Sequence, residues 1–419
     1  AATGRLRVSR GLEAPYYPPV AFFNPYRPSY TEDPYPALAR LRAEDPVFYW
    51  RDYDGWVLTR HADCSAVLRD HETFSSDPGK ARGGVGQYVA RARDASPLAG
   101  APLIGAVDAP VHTRLRAIVS RAFTPRVVED ERAFIRETAA ALLGQGQDPL
   151  DFAATVAPVL PVTVVSDLLG LTPEERNPVR LWAQAIMRAH SDPDTPPEAR
   201  RVAAEAMQHL MRFLAEYRDT HGEGDSRLIS ILLEAEASGD RLSHPELLAF
   251  AVFLYTAGSG PTAMMLSNAV AQLVRHPDAL EAVRADRTLL RAALEESLRW
   301  DSATHVLMRY ALVDTEIGGR RIRAGDTAYV MVAAAHRDPE VFDDPDRFDV
   351  TREIPAGQLL SYGAGPHFCL GAPLAYLQGE ETLDELLDQF PHLALVPGGL
   401  KMGGTFLLRG PERLLLTGR

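Results

Sequence analysis

One cysteine near the C-terminal end of the chain sits in a setting that gives it chemistry. The stretch reads Ser361-Tyr362-Gly363-Ala364-Gly365-Pro366-His367-Phe368-Cys369-Leu370-Gly371-Ala372-Pro373-Leu374-Ala375. Gly363 and Gly365 free the backbone for a tight loop. Cys369 then precedes an apolar, helix-like run from Leu370 to Leu377. A helix N-terminus favours negative charge and so stabilises a thiolate, the form of cysteine that binds metals or acts as a nucleophile. Gly371 leaves space for something flat and bulky. Two readings stand on these residues alone: a buried thiol in a turn that caps a helix, as free cysteines often are, or a working thiolate.

A second stretch with chemical potential lies inside a long apolar segment. Ser243-His244-Pro245-Glu246 is a capping box, and the helix it opens extends to about His276. The segment is apolar nearly all round from Leu247 to Leu266, so it either spans a membrane or fills a large core. Asn268, Gln272 and the internal Gly258-Ser259-Gly260-Pro261 favour the core. Pro261 removes a helix hydrogen bond and is expected to leave the Ala257 carbonyl without its usual donor. The adjacent glycines would let a ligand approach the backbone. A packing kink is the alternative.

Other polar residues carry little information singly. His112 and Arg116 share a helix face at i, i+4, and Glu296 and Arg299 pair at i, i+3. Solvated pairs of this kind are common.

Their order along the chain changes the reading. The cysteine stretch resembles the haem-binding loop of the cytochrome P450 family, aromatic-Gly-x-Gly-x-His-x-Cys-x-Gly, with Tyr362, Gly363, Gly365, His367, Cys369 and Gly371 in the matching positions. Tyr362 stands where the family usually has Phe. The resemblance implies that Cys369 is the axial thiolate of haem b. It further implies that His112, Arg116, Arg309 and His367 hold the haem propionates, and that Glu296, Arg299 and Arg347 form a buried ion network. Ala257-Gly258-Ser259-Gly260-Pro261-Thr262 matches the family's oxygen-binding groove, Ala-Gly-x-acid-Thr, but Gly260 replaces the acid and Pro261 the alcohol. Neither has a side-chain donor. Protons must then come from water, Ser259, Thr262, a substrate group or hydrogen peroxide itself.

The elements around these sites follow the same reading. Residues 1–23 are an irregular lead-in, and 24–419 are expected to form one haem domain, mainly α with a small β region. The haem would lie between the long central helix and the Cys369 loop. Val47–Trp50 and Trp56–Thr59 flank Asp54-Gly55, a hairpin signal. Cys64 is expected to be a small core residue. Ser75 to Pro110 reads as a long lid-like loop. A helical stripe is expected on Phe134, Ile135, Thr138, Ala141 and Leu142, with further helices over 155–169, 174–189, 199–220 and 226–237. Gly403–Leu408 and Leu414–Thr417 suggest a terminal hairpin. Candidate pocket residues are Val85, Leu98, Met187, Tyr255, Ser259, His305, Val306 and Phe406.

Composition sets the outer bounds. The 419 residues are 46% hydrophobic and 24% charged, as in ordinary globular proteins. A net charge of −12 argues against a nucleic-acid partner. Two cysteines argue against a disulfide-stapled fold. The absence of a signal-type segment leads to the expectation of a cytoplasmic protein with no membrane association, of the soluble bacterial type, and a monomer. No Walker, flavin or nicotinamide fingerprint is present. Electrons would therefore come from a separate ferredoxin and ferredoxin reductase, or from hydrogen peroxide. The leading function is haem-thiolate oxidation of a small organic molecule from secondary metabolism or catabolism. A peroxide-using or oxidative-coupling variant, a non-catalytic haem sensor and a cysteine hydrolase are the alternatives; the last is disfavoured because His367 is too near Cys369 in sequence to serve easily as its base.

Overall fold

The helix His244–Arg275 runs through the middle of the molecule. Its 32 residues span about 48 Å at 1.5 Å per residue. The capping box is formed, with the Ser243 amide donating to Glu246 Oε2 at 2.7 Å. Among the described residues it is the one helix long and apolar enough to cross a membrane. Here its apolar surface is used by the protein core: Ala249, Tyr255, Leu266, Ala269, Val270 and Ala271 are essentially sealed. It packs on helices Leu160–Leu168, Leu290–Trp300 and Ala372–Gln389. Asn268 Nδ2 donates to the carbonyls of Asp301 and Arg409 at 2.9 and 3.1 Å, tying the helix to the β region.

The computed structural model describes residues 23–94, 100–145, 148–172, 174–176, 178, 181–182, 197–221 and 242–419. The helix expected over 226–237, most of the one over 174–189, the lead-in before residue 23, Leu98 and Met187 lie outside the described residues. The described chain is mainly α with a small β region, as the sequence predicts. Strands Val47–Trp50, Gly55–Leu58, Thr327–Met331, Val306–Ala311 and Phe74–Ser75 form one sheet in that order, with only Gly55–Leu58 and Thr327–Met331 parallel. The hairpin at Asp54 is present, and Cys64 is fully buried.

Three expectations are corrected. The segment 75–110 is not a plain loop: Gly84–Asp94 is a helix. Its buried face carries Val85, Gly86 and Ala90, and Gly86 must be small because a Cβ there would sit 2.3 Å from the Tyr310 ring. On helix Arg132–Gln145 the buried line is Ile135, Ala139 and Leu143, one step round from the expected stripe. The terminal hairpin pairs Ala394–Gly404 with Arg409–Thr417, so 405–408 is its tip and not a strand. Gly404 ends the first strand at φ +121°. The tip is pinned where the amides of Leu407 and Leu408 donate to Thr405 Oγ1, both at 3.2 Å.

The ion network is also rearranged. Arg299 is completely buried. Its Nε and Nη2 donate to the two Glu296 oxygens, each at 2.7 Å. The remaining N–H groups go to the carbonyls of His336, Pro345 and Arg347 at 3.1, 2.8 and 3.0 Å. Arg347 thus contributes its backbone. Its side chain is 64% exposed and pairs with Asp344 and Asp349. The second cation on Glu296 is Arg352, at 3.3 Å.

Breaking a buried pair strands a charge and costs roughly 3–5 kcal/mol. Arg299→Ala or Glu296→Ala is therefore expected to lower the denaturation midpoint sharply. Arg347→Ala, at an exposed side chain, should stay within about 0.5 kcal/mol of the parent. Urea titrations of these variants and of Arg352→Ala check this; an Arg347→Ala loss as large as that of Arg352→Ala would contradict the rearrangement.

Candidate active site

The cysteine loop is shaped by backbone contact. Gly363 and Gly365 adopt φ +74° and +68°. A Cβ at Gly365 would lie 2.9 Å from the Leu68 carbonyl oxygen, so only glycine fits. The Cys369 amide donates to the Tyr362 carbonyl at 2.8 Å and closes the turn. Helix Ala372–Gln389 starts next, with Gly371 at its N-cap. The amides of Gly371 and Ala372 point at the Cys369 sulfur and, with Arg116, lower its pKa. Burial acts more strongly and leaves the thiol above its ordinary range. The residue is exposed, but to a cavity rather than to bulk water. The helix terminus alone thus does not create a thiolate here; a bound metal cation would, since a coordinating thiol is deprotonated outright.

That cavity has a volume of about 330 Å³. One wall is a single stripe of the central helix, Phe250, Phe253/Leu254, Ala257/Gly258, Pro261/Thr262 and Met265. Ile104 and Phe123 close a second side, and Ala303, Thr304 and Leu307 a third. Residues 361–363 and 367–371 complete it. Tyr362 Oη donates to Met265 Sδ at 3.2 Å, joining the cysteine loop to the central helix.

Four basic side chains line the same space: His112, Arg116, Arg309 and His367. The His112 and His367 rings stand 4.0 Å apart. Strand Val306–Ala311 delivers Arg309, which is buried and donates to the Met308 carbonyl at 2.9 Å. Among the described residues neither Arg116 nor Arg309 has a carboxylate partner, and His112 Nε2 is buried without a hydrogen bond. Burial pulls Arg309 down to about 10. It also lowers His112, assisted by Arg116. His367 falls to about 3 through burial first, then through His112, Arg309 and Arg116. The two imidazoles are thereby neutral donors, and the two guanidiniums, Arg309 buried and Arg116 half-buried, call for an anionic ligand. The space beside the sulfur is open, since a Cβ at Gly371 would meet only Cys369 Sγ, at 4.0 Å. An apolar chamber, a sulfur ligand and a cationic rim suit a flat apolar group that bears carboxylates and a metal.

The helix stretch opposite expectation is Ser259 and Gly260. Neither lines the cavity, whereas Ala257, Gly258, Pro261 and Thr262 do. Ser259 is turned inward, its Oγ donating to the Tyr255 carbonyl at 2.6 Å. Gly258 also serves packing, since a Cβ would come within 3.2 Å of Val165. Of the expected pocket residues, Val85, Tyr255, His305, Val306 and Phe406 face elsewhere. Tyr255 Oη donates to Ser166 Oγ at 3.2 Å, His305 lies 3.5 Å from Asp301, and Phe406 packs 5.0 Å from Trp50. Phe250, Phe253 and Leu254 were legible: they sit at i−7, i−4 and i−3 from Ala257, the same helix face.

His336 positions the loop from outside the cavity. Its Nε2 accepts from the Leu360 amide at 2.7 Å and its Nδ1 bonds the Leu298 carbonyl at 3.1 Å, which fixes the neutral tautomer with the proton on Nδ1.

A family model described as cytochrome P450 matches residues 194–402. Cytochrome P450 monooxygenase PikC of Streptomyces venezuelae is 37% identical over 95% of this chain and 94% of that protein. Epothilone C/D epoxidase of Sorangium cellulosum is 36% identical over 90% of each. Among solved structures, epothilone B-bound cytochrome P450epoK superposes at TM-score 0.85 with 33% identity, covering 95% of this chain and 99% of that one. Cytochrome P450 CYP109Q5 from Chondromyces apiculatus gives 0.83 with 30% identity, covering 93% and 96%.

Burial holds the His336 pKa at about 3, against about 6.5 for an ordinary histidine. Between those values the unfolded chain binds one proton more, so stability falls as the pH drops. From pH 6.5 to 5 this group alone accounts for about 2 kcal/mol. Urea unfolding at pH 7 and pH 5 is expected to show a shallower acid loss for His336→Gln than for the parent; equal slopes would contradict it.

Proposed function

Because this chain belongs to the cytochrome P450 family, as a haem-bearing monooxygenase of the bacterial type with that family's fold, we propose that it oxidises a natural-product-sized organic substrate at haem b bound to Cys369. Two guanidiniums on one side of the cavity, Arg309 buried and Arg116 half-buried, with no carboxylate partner among the described residues, carry this reading. His112, Arg116, Arg309 and His367 would hold the two propionates, giving charge-assisted bonds in a dry setting. Bound there, haem would supply oxygen activation, and the Cys369 thiolate would direct electron density toward its iron. The relatives named for epothilone and for erythromycin C-12 hydroxylation make a polyketide-like substrate the natural first candidate.

The chain's own residues bind, orient and exclude water. Phe250, Phe253, Leu254 and Ile104 present apolar surface to the substrate. Ala257 offers a carbonyl that Pro261, lacking an N–H, does not engage. Thr262 brings the one hydroxyl of the 257–262 stretch that faces the cavity, and it is the protein's candidate for moving a proton there. Ser259 is occupied with the Tyr255 carbonyl. Separate ferredoxin and ferredoxin reductase would bring electrons in the cytoplasm. A second reading, in which hydrogen peroxide supplies oxygen and electrons or the product is a coupled one, is favoured specifically by Gly260 and Pro261.

A spin-state screen of small phenols, peptides and polyketides identifies a ligand for turnover. With ferredoxin and its reductase, Thr262→Val is expected to lower product formation by about 10²-fold, the lower range for loss of a proton donor, while leaving the ligand-induced spin shift in place. Gly260→Glu combined with Pro261→Thr should raise the share of electrons that end in product. Tight coupling in the parent with ferredoxin, and no product with peroxide, would remove the peroxide reading.

A further inference from the structure

Among the described residues, Tyr362 is the one side chain lining the cavity that is readily oxidised through its ring; the other aromatic rings there are phenylalanines and histidines. Its carbonyl accepts the Cys369 amide at 2.8 Å, so the phenol is rooted on the cysteine itself. Its ring centroid lies 5.2 Å from that of Tyr376, at 61°, an edge-to-face contact. Tyr376 is buried on helix Ala372–Gln389. The Arg291 guanidinium covers its outer side, 3.7 Å from the ring centroid. That side chain is 46% exposed, so the series ends at solvent. Arg291 is held by Glu295 at 3.4 Å and Glu380 at 3.2 Å.

We propose that Tyr362 and Tyr376 form a two-ring exit that carries oxidising equivalents from the Cys369 site to the surface beside Arg291. The proposal rests on the haem-thiolate reading above. The need for an exit follows from Gly260 and Pro261: without a donor at either position, an oxidised site that meets no suitable substrate persists longer.

The step balances as follows. Tyr362 gives one electron to the oxidised site. Its hydroxyl donates to a thioether, a weak acceptor that does not keep a proton, so the phenol proton stays and the ring is refilled by one electron from Tyr376. Tyr376 loses that electron and passes its phenolic proton toward the Glu295 carboxylate, which is held near the ring by the Arg291 that covers it. Partial burial makes that carboxylate a better base than an exposed one. Arg291 lies on the ring and disfavours removal of an electron alone, which couples the electron to the proton. A thiol at the surface then gives one electron to Tyr376 and its own proton to water, Glu295 returns the phenolic proton, and after two turns the two thiyl radicals join as a disulfide.

The test uses the haem-loaded, substrate-free ferric protein, mixed with a peracid and freeze-quenched for electron paramagnetic resonance. Melting temperatures of the variants confirm that each is folded. The parent is expected to give a tyrosyl signal. Tyr362→Phe should lose it, and Tyr376→Phe should lose the surface radical together with the parent's oxidation of added thiol. No tyrosyl signal in the parent, or a signal unchanged in both variants, would overturn the exit while a thiolate-type haem spectrum left the oxidase reading standing. A starting sample without that spectrum would overturn both.

Discussion

Arg299 has no access to water, and every N–H of its guanidinium is committed: two to Glu296 and three to carbonyls of segments 336–347. A buried guanidinium is tolerable only when it is paired and its donors are satisfied. This one constraint fastens helix Leu290–Trp300 to the chain that leads into the cysteine loop. From there His336 and Ser361 hold the loop's first residues, through Leu360 and the Leu298 carbonyl. The Cys369 sulfur is thus located by a rigid scaffold and not by the loop alone. On the other side Asn268 ties the central helix to the same β region, so the two walls of the cavity share one frame.

What the sequence disclosed follows from how local each feature is. The cysteine loop is a contiguous stretch whose glycines, histidine and cysteine must keep fixed spacing, and its position and turn are as read. The capping box and the internal proline of the central helix are equally local. The pocket is assembled from segments scattered between residues 104 and 375 and depends on rotation about each element's axis. Tyr255 and Leu254 are adjacent, yet one faces Ser166 and the other the cavity. Arg347 and Arg352 illustrate the same limit. Both are five residues apart in a polar turn, and only the folded path shows that Glu296 meets the second. Helix Gly84–Asp94 is short and opens on Gly84 and Gly86, which read locally as loop, although Val85 and Val89 lie at i, i+4 on its packed side.

The departures from the family motif fall at two places. At Gly260 and Pro261 the chain lacks the donors expected near the reacting centre, and Ser259 does not replace them. At Tyr362 it has a phenol where a phenyl ring is usual, bonded to Met265 and stacked edge-on against Tyr376. In the account proposed above, the loss slows the handling of protons and the gain opens a route for electrons. At the cysteine itself, two backbone amides and Arg116 oppose burial without outweighing it, so the thiol stays above its ordinary range until a cation binds.

Everything functional rests on that sulfur carrying the metal. The direct measurement is the absorption spectrum of the reduced, haem-loaded protein under carbon monoxide, taken for the parent and for Cys369→Ala. A thiolate-type red-shifted band in the parent that disappears in the variant is the expected result. A parent without the band, or a variant that retains it, would contradict the assignment of Cys369 as the iron ligand.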